Sequence, residues 1–286
     1  MRLERLVNVC KSAVTAWIDD YASSMGAAIA YYTVFSMAPL LIIAIAVAAV
    51  FFGERAAQHE LLDQLRGLLG DQGANAVEMM LSNAQKPKQG TIASVLSVAT
   101  LIIGATGVFS ELESDLNRIW KVQGPEVRGI WHLLRVRLLS FGMVLAIGFL
   151  LLVSLIISAG LAAWGKYWGG MFSGIEALLQ AVNFLVSLLV ITVLFALMYK
   201  ILPAVKIAWR HVWLGAGVTA LLFSLGKFVI GLYIGKSSIA SSYGAAGSLI
   251  ILLIWVFYSA QIMLFGAEFT RVYALRHGSH RRYASQ

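Results

Sequence analysis

Six long stretches of this chain are all but free of charge, with polar residues crowded between them. The windows are 21–53, 89–110, 138–165, 177–199, a segment from 211 to about 235 broken only by Lys227, and 237–267. A helix rises ~1.5 Å per residue, so ~20 apolar residues cross a ~30 Å hydrocarbon core. Helices that are apolar on every side leave no face for water, which sets them apart from those of a large soluble all-helical protein. The pattern predicts an all-α integral membrane protein with six transmembrane helices, at about 25–53, 90–110, 138–165, 177–199, 211–235 and 243–267. They make one membrane domain over 1–286. Before the first span, Leu3, Leu6, Val7, Val9, Cys10, Val14, Trp17 and Ile18 fall mostly on one helical face, among Arg2, Glu4, Arg5, Lys11, Asp19 and Asp20. That is the pattern of a short amphipathic helix lying at the membrane surface. The first outer loop, 54–89, is long. In it Leu61, Leu62, Leu65, Leu68 and Leu69 recur at helical spacing, and Ala76, Val77, Met80 and Leu81 follow a break at Gly70–Gly73. Two short amphipathic helices forming an outer cap are expected there.

Charge sets the orientation. The segments 1–20, 111–137, 200–210 and 268–286 hold 15 of the 22 lysines and arginines, and the three alternate loops hold 6. The bias places both termini in the cytoplasm. A net charge of +8 is then a topology signal and a contact with anionic lipid headgroups on the cytoplasmic face, worth ~1 kcal/mol per basic residue near the surface. The basic residues are spread over four segments without a nucleic-acid-binding module, so no nucleic-acid partner is expected. Composition changes little: 59% hydrophobic and 13% charged residues, and a mean hydropathy of +0.80. The lone Cys10 excludes an intrachain disulfide. The charged first 20 residues do not read as a cleavable signal peptide.

Little in the chain suggests enzyme chemistry. The histidines at 59, 132, 211, 277 and 280 are scattered. His59, Glu60 and Asp63 share a helical turn, but on the outer side. No metal, cofactor or catalytic residue is expected. Gly231-Leu-Tyr-Ile-Gly-Lys-Ser237 is one residue short of a phosphate-binding loop and ends a membrane helix, so no nucleotide is expected either.

The features a membrane pathway would use are few. Lys227 is the one charge inside a span, and it either faces a cavity or snorkels to the outer interface. Tyr31, Tyr32, Thr33 and Ser36 form a polar strip in the first span just before Pro39, which removes a backbone hydrogen bond and kinks the helix. Tyr243, Gly244 and Gly247 make a glycine-rich entry to the last span. Small residues at Ala22, Gly26 and Ala30, and at Gly231 and Gly235, let helices approach closely and leave room for a homo-oligomer.

The stretch AYYTVFSMAPL from Ala30 to Leu40 and GVFSELESDLNRIW from Gly107 to Trp120 resemble the YihY/BrkB family of bacterial inner-membrane proteins. So do Tyr199 to Pro203, YGAAGS from Tyr243 to Ser248, and LFGAE from Leu264 to Glu268. The resemblance covers nearly the whole chain and implies a six-span, multi-pass protein of the bacterial inner membrane. Members have carried a ribonuclease label, and have been linked to serum resistance and to movement of lipid-like molecules. The residues present no clustered carboxylates and histidines for metal-dependent phosphodiester cleavage, so ribonuclease activity is rejected.

At the inner ends of spans two and six, Asp115-Leu-Asn-Arg-Ile-Trp120 echoes Glu268-Phe-Thr-Arg-Val-Tyr273. The echo suggests a parallel repeat of span pairs 1–2 and 5–6. It places Asp115 with Arg118 and Glu268 with Arg271, each three apart on a helix and able to pair, with Glu111 and Glu113 near them. No span shows a midplane acid, which disfavours a proton- or sodium-coupled pump. The expected function is a facilitator or flippase-like pathway for lipids or other amphipathic molecules. The alternative is a non-transporting scaffold of the cell envelope.

Overall fold

The computed structural model describes residues 2–84, 107–122, 142, 175–236 and 247–276. Every element among them is an α-helix. In chain order these are α1 (Arg2–Asp19), α2 (Ala22–Phe52), α3 (Glu54–Ala84), α4 (107–119), α5 (Ile175–Ile201), α6 (Trp209–Lys236) and α7 (Gly247–Arg276). Three segments are long and apolar enough to cross a membrane: Leu179–Ile201, Trp209–Ile234 and Leu249–Arg276. The first predicted span, α2, is bent by 46° between its parts 22–38 and 40–46, with Pro39 at the break, and passes the same test if both parts are one span. The second and third predicted spans lie outside the described residues, apart from 107–110 and Gly142.

Among the described helices, the last is packed by α6, α2, α1 and α3. Its buried residues Leu252, Val256, Ala260, Met263, Leu264 and Ala267 recur at three- and four-residue intervals. Close packing comes from small residues, as helices in lipid require. A side chain added at Gly215 of α6 would run into Thr270 of α7, and one added at Gly266 of α7 would run into Thr219 of α6 and Tyr199 of α5. Polar groups seal the seam. The Tyr199 hydroxyl donates to the Met263 carbonyl (2.7 Å) and lies 3.0 Å from Thr219 Oγ1. Thr219 and Thr270 donate back to the Gly215 and Gly266 carbonyls at 2.8 and 2.6 Å. All these hydroxyls are buried and partnered, so the seam adds specificity without an unsatisfied group.

The small face Ala22, Gly26 and Ala30 is buried, and Gly26 faces Gln261, whose amide donates to the Ala22 carbonyl (3.3 Å). The expected second face is different. Gly231 is exposed, with no described residue within 4 Å of an added Cβ, and Gly226 instead receives Tyr258 and Ile262. Sequence spacing alone does not tell which of several glycines on one helix meets a neighbour.

Between the first two predicted spans, helical structure runs unbroken through Glu54–Ala84. Yet Ala57 and Leu81 pack in one cluster with Ile45 of α2. A straight helix would hold them ~36 Å apart, so the chain doubles back between them, where Gly67, Gly70 and Gly73 stand. The two arms expected on either side of Gly70–Gly73 therefore lie side by side, with helical structure continuing through the turn between them. It is more than a lid: Val77 is buried in a cluster with Ala30 and Val34 of α2 and Leu252 and Val256 of α7. The N-terminal α1 lies against α7 through Val9, Ala13, Phe269 and Val272, and Arg276 holds it by donating to Asn8 O (3.2 Å) and Ser12 Oγ (2.7 Å). Its Val7, Val14 and Ile18 remain exposed on another face, so the apolar residues that the sequence groups together are divided between a buried and an exposed side.

Candidate functional site

Two helix joints and the end of α7 build a charged rim. At the first joint Tyr21 adopts φ 57°, ψ 40°, turning α1 into α2. At the second, α4 closes with the Lys121 and Val122 amides returning to the Arg118 and Asn117 carbonyls (3.0 and 2.9 Å), Lys121 at φ 53°. This is the left-handed closure that usually takes glycine. Tyr21 and Lys121 are the only non-glycine residues with positive φ among the described residues, and each such conformation costs ~1–2 kcal/mol. Ionic contacts tie the two joints together. Lys121 Nζ donates to Asp20 Oδ1, and Arg271 Nη1 lies 3.4 Å from Asp20 Oδ2. The same Nη1 donates to the Ile119 carbonyl at 2.5 Å. That carbonyl belongs to the last turn of α4, where orphan acceptors and the negative end of the helix dipole favour a cation.

The expected Glu268–Arg271 contact is present, Oε2 to Nη1 at 3.6 Å, with Glu268 fully buried. Burial pushes the Asp20 carboxyl up, but the Lys121 and Glu268 hydrogen bonds and the Lys121 and Arg271 charges outweigh it, leaving the group below its ordinary range. Asp115 and Arg118 do not meet in the same way. Asp115 is buried and its Oδ2 has no hydrogen-bond partner among the described residues, while Arg118 is exposed. Burial lifts the Asp115 carboxyl to about 7; Glu111 adds to the rise and Arg118 opposes it. The Asn117 amide oxygen accepts from the Ala204 N–H at 2.7 Å, fixing α4 to the turn after α5. Close by, Lys200 donates to the Ile207 carbonyl (2.5 Å) and sits 5.4 Å over the Trp209 ring. Trp209 and Trp213 are exposed there, the usual place of tryptophan at a membrane surface.

In the first span Ser36 is buried, while Tyr31 and Tyr32 are exposed. Tyr31 stacks edge-on with Tyr32 (5.6 Å) and against Phe35 (4.7 Å). A side chain added at Gly107 of α4 would lie 3.4 Å from the Tyr32 ring and 3.6 Å from Ser36 Oγ, so the bend region of α2 and the start of α4 are close neighbours. Lys227 is on the exposed flank of α6, with Leu225, Phe228 and Val229. Gly247 is buried at the start of α7; Tyr243 and Gly244 lie outside the described residues.

Sequence reasoning missed Asp20 and Lys121 as rim residues. Asp20 is the last charge before 33 uncharged residues, which marks an interface. Nothing in the sequence marks a partner 101 positions away. It also set Glu268 just past the sixth span and expected no buried carboxylate within a span, whereas Glu268 is fully buried inside the apolar segment Leu249–Arg276, and Asp115 is buried on α4. α1 and the close of α4 cover this end of the helix.

The model of the virulence factor BrkB family matches residues 13–286. The chain belongs to that family. Relatives named UPF0761 membrane proteins extend the match. One from Alcanivorax borkumensis is 29% identical over 88% of this chain and 57% of its own length. One from Rhodospirillum centenum is 28% identical over 94% and 58%, and one from Pseudoalteromonas atlantica is 32% identical over 85% and 78%. The chain thus spans a little under three fifths of the length of several of these relatives. No solved structure matches. With the apolar helices, these relatives make this a membrane protein of the BrkB family, as the residue motifs suggested.

Proposed function

We propose that this protein is a non-enzymatic, flippase-like or facilitating pathway for lipids or other amphipathic molecules, in the bacterial inner membrane. The first span carries the reading. It is bent by 46°, with Ser36 buried and Tyr31 and Tyr32 exposed before the bend. In lipid, a broken helix with polar side chains is tolerated where it lines a cavity or contacts protein. The charged rim and Lys227 supply groups for an anionic headgroup at different positions along the bundle, and the folded α3 packs against α2 and α7. Anionic lipid at the basic face is the partner in this reading; nucleic acid, nucleotide and bound cofactor have no part in it.

Liposomes with a headgroup-labelled phospholipid and an impermeant quencher test it. The wild type is expected to give quenching beyond the outer leaflet's share. Lys227→Ala is expected to slow it about fivefold, the factor matching ~1 kcal/mol per basic residue at the surface. Quenching confined to the outer leaflet for every headgroup tried would replace this reading by an envelope scaffold.

A further inference from the structure

Glu268 has an environment that a permanently ionised carboxylate does not tolerate. It is fully buried, and neither of its oxygens accepts a hydrogen bond from an N–H or O–H group of the described residues. Arg271 Nη1, 3.6 Å away, directs its hydrogens to Asp20 and the Ile119 carbonyl. What does lie beside it is another carboxyl: Asp20 Oδ2 is 3.4 Å from the same Nη1 that is 3.6 Å from Glu268 Oε2. Two buried carboxyl groups gathered on one guanidinium nitrogen do not both ionise freely, and they bond to each other only when one carries a proton. Asp20 has Lys121 and Arg271 to stabilise its charge, which leaves Glu268 as the member that holds the proton. Among the described residues, the charged groups in contact with this pair are Lys121 beyond α4 and Arg271 on α7 itself. His211 on α6 lies against Tyr273, five residues further along α7 (5.7 Å between rings).

We propose that Asp20 and Glu268 form a proton-binding site in which protonated Glu268 donates to Asp20, and that loss of this proton releases the rim. The proton completes the contact between the α1–α2 elbow and α7. Without it two buried carboxylates confront each other next to two joints already held in left-handed conformations, where strain gathers at elements that switch. The site goes beyond the proposed pathway and rests on it only for what an open rim would admit.

The test uses the full chain in liposomes carrying Ala22→Cys, a fully buried position beside the elbow. The maleimide labelling rate at position 22 is divided by that at the native, exposed Cys10, which cancels the pH dependence common to thiols. The ratio is expected to rise about tenfold between about pH 6 and about pH 9, as a minor open state becomes tenfold more populated. With Glu268→Gln added it stays low throughout, because the amide keeps a donor to Asp20. A ratio indifferent to pH, or a rise that persists with Glu268→Gln, overturns the proposal. A second readout needs no reporter cysteine. In an Asp115→Asn background, the infrared band of a protonated carboxyl is expected to disappear on alkalinisation and to be missing from Glu268→Gln; an identical band in both overturns it. Labelling reads the rim and lipid translocation reads the pathway, so failure of one is distinguishable from failure of the other.

Discussion

Gly266→Ala is expected to destabilise the folded bundle by about 1–3 kcal/mol, the usual cost of forcing a methyl into a filled interior. The new Cβ would overlap Thr219 Oγ1 and lie 2.6 Å from the Tyr199 hydroxyl and 2.9 Å from Thr219 Cβ. Neither neighbour can step aside. Tyr199 and Thr219 are almost wholly buried, and their hydroxyls are bonded to the Met263 and Gly215 carbonyls. The helices must therefore separate, which loosens α5, α6 and α7 together. Tyr199→Phe removes one hydroxyl without adding volume and is expected to cost less, about 1 kcal/mol. Gly217→Ala is the control: a Cβ there meets no described residue within 4 Å, and a helical glycine exchanged for alanine without strain gains about 0.4–1 kcal/mol. Thermal unfolding of the purified protein in one detergent orders the variants. A Gly266→Ala protein that melts with the wild type would mean that the seam is looser than its geometry.

This seam also shows what the sequence could and could not tell. Uncharged length is a one-dimensional property, and it located α5 and α6 to within two residues at each end and the start of α7 to within four, because lipid demands nothing but apolarity and internal hydrogen bonds from a span. The last helix, α7, runs nine residues past its expected end, through Glu268 and Arg271. Pairing is not one-dimensional. Thr219, Thr270 and Tyr199 are ordinary residues in ordinary spans until Gly215 and Gly266 are known to face them. The Glu268–Arg271 contact was legible because it sits within one helical turn. Asp20 and Lys121 were not, since their contact joins the ends of α1 and α4, 101 positions apart in the chain, and only tertiary packing brings those ends together. Likewise the Gly70–Gly73 break was visible, but that the arms beyond it would reach Ala30 and Leu252 was not.

Asp115 makes the strongest demand on pH. Its carboxyl titrates near 7 in the folded protein against an ordinary 3.8, mainly because it is buried. The folded chain therefore keeps a proton that the unfolded chain has lost between about pH 4 and about pH 7. Stability contributed at this site falls as pH climbs through that window, and it is level below and above it. A shift of one unit corresponds to 1.36 kcal/mol, so the full change is on the order of a few kcal/mol. Asp115→Asn removes the titrating group while keeping its shape. It is expected to flatten this part of the profile and to be more stable than the wild type at about pH 8, with little difference at about pH 4. The neighbours give the sign a second check. Glu111→Gln removes a like charge and is expected to move the window to lower pH, whereas Arg118→Gln removes an opposing one and moves it higher. Unfolding free energies of the four proteins against pH decide the matter. Parallel profiles for wild type and Asp115→Asn would show that the buried carboxyl holds no proton of its own, and would leave Asp115 as a packing residue of α4.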